Sequence, residues 1–157
     1  PQPLKSFQMT NTSIEVLGGV NGVRIVSRAS VSDRGQLSDI AISNVHIDGS
    51  PQAAVRVVAE ASERNGVVRH VKITNLTMSW ENAPLYGIAL EPADDSATID
   101  DVGIVNCNLS GHDVGSTAIS IGDGVTRTTI VGNALYGSGT PIADSGSLTE
   151  ASSNQMT

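Results

Sequence analysis

Apolar residues recur along this chain with a period of two, in short runs that restart at regular intervals. Four segments share one pattern: Phe7-Gln8-Met9-Thr10-Asn11, Ile40-Ala41-Ile42-Ser43-Asn44, Val71-Lys72-Ile73-Thr74-Asn75 and Val102-Gly103-Ile104-Val105-Asn106. Each reads apolar, x, apolar, x, Asn, the alternation of a strand with one buried side. After each asparagine the alternation resumes with its phase reset, at Thr12 and Ile14, Val45 and Ile47, Leu76 and Met78, Cys107 and Leu109. Two short strands therefore flank a bend. A fifth copy, Thr128, Ile130, Gly132, Asn133 and Leu135, puts glycine where the others put asparagine, and both residue types tolerate the left-handed backbone. A third apolar pair follows each copy: Val23 and Ile25, Val55 and Val57, Ile88 and Leu90, Ile119 and Ile121, then Ile142 alone.

The pattern predicts three short strands per repeat. Successive copies are offset by 33, 31, 31 and 26 residues from Met9 through Ile42, Ile73 and Ile104 to Ile130, and the insertions fall between strands. A propeller blade needs four strands, and a leucine-rich repeat spaces its asparagine and leucines differently. A coil with one strand on each of three faces fits. Stacked coils pair equivalent strands in parallel ~4.8 Å apart and line up equivalent side chains. Three inward columns are predicted: Met9, Ile42, Ile73, Ile104, Ile130; Ile14, Ile47, Met78, Leu109, Leu135; and Val23, Val55, Ile88, Ile119, Ile142. Asn11, Asn44, Asn75 and Asn106 form a ladder, with Asn75 expected to be internal and bonded to Asn44 and Asn106 or to bend backbone.

Composition agrees with such a core. One Trp, two Tyr and one Phe among 157 residues leave it to small stacked side chains. A hydrophobic share of 39% with 16% charged residues is too apolar for a disordered acidic tail, and long apolar runs are lacking, so no membrane insertion is expected. Sixteen acidic against nine basic residues, a net charge of −7 without any Lys/Arg cluster, argue against nucleic acid as a partner. The lone Cys107 excludes an intrachain disulfide and a multi-cysteine zinc site. No cofactor is implied, and His46, His70 and His112 fall on different faces or turns, so no shared metal site is expected.

On these repeats the chain resembles the right-handed parallel β-helices of the pectate-lyase type, over residues 7–144. The fold that the resemblance implies is all-β, a right-handed single-stranded parallel β-helix of about five coils with three short strands each and an asparagine ladder. The strand before the Asn bend resembles the second face of that fold, the strand after it the third, and Val55-Arg56-Val57 and its equivalents the first. Residues 1–6 are read as a lead-in from further rungs, and residues 145–157 as a polar tail or partial coil, with Asn154 at the bend of a sixth. We expect the C-terminal section of a longer β-helix, since no amphipathic cap precedes Phe7.

Enzymes of this fold usually act on polysaccharides along the outer first face. The outward residues there begin with Arg24 and Arg56, one rung apart, suited to gripping a sugar carboxylate or to pairing with Glu60 and Glu91. The following turn carries Glu60, Glu91 and Asp123 among other acids. These are candidates for catalytic acid and base, since glycosidases place two carboxyls about 5 to 9.5 Å apart, or for ordinary solvated turns. Trp80, Tyr86 and His112 are assigned to the turn after the third face, as sugar-stacking or subunit-contact residues. Neither the aspartate series of polygalacturonases nor the calcium aspartates and arginine of pectate lyases are present. The expected function is thus the C-terminal β-helical section of a bacteriophage tailspike or tail-fibre protein, a virion homotrimer binding bacterial surface polysaccharide, with depolymerase activity open. A secreted lyase-like or polygalacturonase-like enzyme and a purely structural or adhesive β-helix are the alternatives.

Overall fold

The computed structural model describes residues 4–16, 20–29, 36–49, 52–61, 66–79, 85–110, 115–137 and 139–156. They form an all-β structure of parallel strands, as expected of a β-solenoid, without a helix among the described residues. The first two repeats carry one long strand across the asparagine bend, β1 (Leu4–Glu15) and β3 (Gln36–Asp48), with β2 (Asn21–Ala29) and β4 (Ala53–Ala61) after them. The third is split into β5 (Val67–Thr74), β6 (Thr77–Ser79) and β7 (Tyr86–Pro92), and the fourth into β8 (Thr98–Val105), β9 (Asn108–Ser110) and β10 (Thr117–Ile121). The fifth comprises β11 (Val125–Val131), β12 (Ala134–Tyr136) and β13 (Thr140–Asp144), followed by β14 (Glu150–Ser152) and β15 (Gln155–Met156).

Equivalent strands pair across repeats. One sheet runs β2, β4, β7, β10, β13. The other branches at β3 into an arm through β5, β8, β11 and β14 and an arm through β6, β9, β12 and β15, with β1 laid along β3. All three predicted columns are in register, from Met9 opposite Ile42 to Ile104 opposite Ile130, from Ile14 opposite Ile47 to Leu109 opposite Leu135, and from Val23 opposite Val55 to Ile119 opposite Ile142. Ile42, Ile73, Ile104 and Ile130 are 0% exposed. Residues 145–157 include a partial further repeat, since Ala151 pairs with Ile130 and Met156 with Leu135.

The asparagine ladder forms, but on the outside. Asn44 Nδ2 donates to Asn11 Oδ1 at 3.3 Å and Asn75 Nδ2 to Asn44 Oδ1 at 2.9 Å, while Asn11, Asn44, Asn75 and Asn106 are all solvent-exposed. The expectation that Asn75 is internal is therefore corrected. The reason is geometric: Ile42 and Val45 both point inward, so the two residues between them, Ser43 and Asn44, must both turn outward. The left-handed φ of 51 to 54° at the four asparagines makes that turn. In the fifth repeat Gly132 takes the position at φ 68°.

Internal amides do occur, one residue further on. Asn133, 1% exposed, continues the column of Val45, Leu76 and Cys107. Its Oδ1 accepts from the Cys107 N–H at 2.8 Å and its Nδ2 donates to the Ile104 carbonyl at 3.0 Å and to Asn154 Oδ1 at 2.9 Å. Asn154 Nδ2 in turn donates to the Ile130 carbonyl at 3.0 Å. A β-strand bend buried this deeply has backbone groups that need partners, and two stacked amides supply them.

Candidate functional site

The first face carries a strip of ion pairs. Arg24 and Arg56 are in register and outward. Arg24 Nη2 lies 3.4 Å from Glu60 Oε1, and Arg56 donates to Glu91 Oε2 through Nε at 2.8 Å and Nη2 at 2.5 Å. Each arginine thus reaches the glutamate of the following repeat. The pairing satisfies charges that would otherwise be open to a ligand carboxylate. It also shows that Glu60 and Glu91 occupy different positions along their turns, Glu91 in register with Val58 and Glu60 with Arg28.

Asp123 is exposed in the turn between β10 and β11, where its Oδ1 accepts from the Gly124 N–H at 2.9 Å. Asp94 serves its own loop, with Oδ1 accepting from the Ser96 N–H, the Ser96 hydroxyl and the Ala97 N–H at 2.9, 2.6 and 3.2 Å. Tyr86 opens β7 on the first face, in register with Ala53 and Thr117, rather than sitting on the turn after the third face where the spacing put it. Trp80 and His112 lie outside the described residues.

A second polar cluster, missed in the sequence, lies at the entry to the second face. Each strand there has another left-handed residue, immediately before the inward Ile40, Val71, Val102 and Thr128: Asp39 at φ 57°, His70 at 52°, Asp101 at 58° and Arg127 at 52°. Asp and His are among the non-glycine types that enter this region most readily. The signal was present, because Leu37-Ser38-Asp39-Ile40, Val68-Arg69-His70-Val71 and Ile99-Asp100-Asp101-Val102 repeat the spacing of the asparagine bend. Stacking places His70 between two carboxylates, with Nδ1 3.1 Å from Asp39 Oδ1 and Nε2 3.7 Å from Asp101 Oδ2. Alongside, Arg127 Nε donates to Asp100 Oδ1 at 2.8 Å, and Thr126 Oγ1 donates to the same oxygen at 2.6 Å. Hydrogen bonding from Arg127 holds the Asp100 carboxyl below the usual carboxylate range, against the opposing effect of burial.

A groove of about 440 Å³ runs beside this cluster, bordered by Asp39, His70 and Asp101 and by the outward column of Gln8, Ala41, Lys72 and Gly103. A cavity of about 410 Å³ opens beside β1 and β2, lined by apolar side chains such as Phe7, Met9, Ile25 and Leu37. No set of three or more His, Cys, Asp or Glu side chains suited to holding a metal ion occurs among the described residues. Cys107 is 1% exposed and burial pushes its thiol up to about 11, so it is not a nucleophile at neutral pH. No protein-family model, curated protein or solved structure matches the chain.

Proposed function

We propose that the stacked repeats close into a right-handed, single-stranded parallel β-helix of about five coils with a partial sixth. In this reading it is the C-terminal section of a bacteriophage tailspike or tail-fibre protein, which binds bacterial surface polysaccharide as a homotrimer on the virion. The observation that supports it is the register: polar outward residues recur in columns at each repeat, ~4.8 Å apart, close to the length of one sugar residue. A rigid surface with that period suits an extended polysaccharide lying along the axis better than a compact ligand.

The test is binding of purified chain to bacterial capsular and O-antigen polysaccharides, with depolymerisation followed by loss of viscosity or gain of reducing ends. Where cleavage is found, Glu91→Gln and Asp123→Asn are compared with the wild type; a loss of about 100-fold in either, with folding intact, assigns it a role as acid or base. Sedimentation equilibrium reads the trimer. A monomer that binds no polysaccharide would overturn the proposal. The structural or adhesive alternative has its own support in the Arg24–Glu60 and Arg56–Glu91 pairs, in which each of these two outward arginines already meets a glutamate.

A further inference from the structure

We draw no further inference here: the strongest candidate, the apolar cavity beside β1 and β2 lined by Phe7, Met9, Ile25 and Leu37, carries nothing because nothing in the structure shows what covers it.

Discussion

At Asn75 the backbone sits at φ 52°, where most L-residues pay about 1 to 2 kcal/mol and asparagine or glycine less. Its side chain adds one exposed amide bond, to Asn44, worth about 0.5 to 1.5 kcal/mol. Asn75→Ala loses both contributions and should lower stability by about 1 to 3 kcal/mol in urea unfolding, whereas Asn75→Gly loses only the bond and should stay within about 1 kcal/mol of wild type. Equal losses in the two variants would mean that the backbone angle is not what selects asparagine here. Cys107 gives a second residue-scale expectation. Its buried thiol, hydrogen-bonded toward the carbonyls of Ile73 and Val105, should resist alkylation in the native protein at pH 8 and react fully in denaturant. Rapid native labelling would show that the column opens.

Among the strands, β5 tests the stack most directly, because it is sandwiched between β3 and β8 with Ile73 fully buried. Ile73→Asp should abolish folding, since an unpaired buried carboxylate costs several kcal/mol against a total stability of about 5 to 15; Ile73→Val should fold with a loss of about 1 kcal/mol. A soluble, cooperatively folded aspartate variant would sink the column assignment. The β8–β11 pair carries the pH dependence. Asp100 binds its proton less tightly in the folded chain than in the unfolded one, so its contribution is fully present above about pH 4 and fades as pH falls through its lowered folded value. Acid unfolding of Asp100→Asn should therefore show a shallower fall in stability below pH 4 than the wild type, and identical acid limbs would rule the pair out as a contributor. At this scale the sequence was legible wherever alternation alone decides the side of a residue: Met9 through Ile130 lie in the column their period implies. What it did not yield was the partner of each outward group. Arg24 and Arg56 read more readily as ion pairs with Glu60 or Glu91 than as ligand contacts, and the pairs form, but which glutamate each arginine meets depends on turn geometry that period-two spacing leaves undetermined.

For the whole molecule, stability should be greatest in the middle of the stack and least in its shortest strands. The middle strands β4, β5, β7 and β8 are paired on two sides, whereas β14 and β15 are three and two residues long and exposed. Hydrogen exchange should accordingly find the greatest protection in β5, β7 and β8 and the least in β14 and β15; uniform protection across these strands would indicate a single all-or-none unit instead. The fifth repeat carries a further consequence. There the outer amide column stops at Gly132 and the inner one starts at Asn133, so two neighbouring letters of the sequence exchange roles between repeats. Aligning asparagine with asparagine would match Asn133 to Asn106, one residue out of the true frame, and would turn Ile130 and Leu135 outward. The buried bonds of Asn133 to Cys107 and Ile104 are satisfied in one frame only, so a slip of a single residue at this point would leave buried amide groups unpaired at about 1 to 3 kcal/mol each, and the register of the last repeats is fixed by two side-chain bonds rather than by alternation alone.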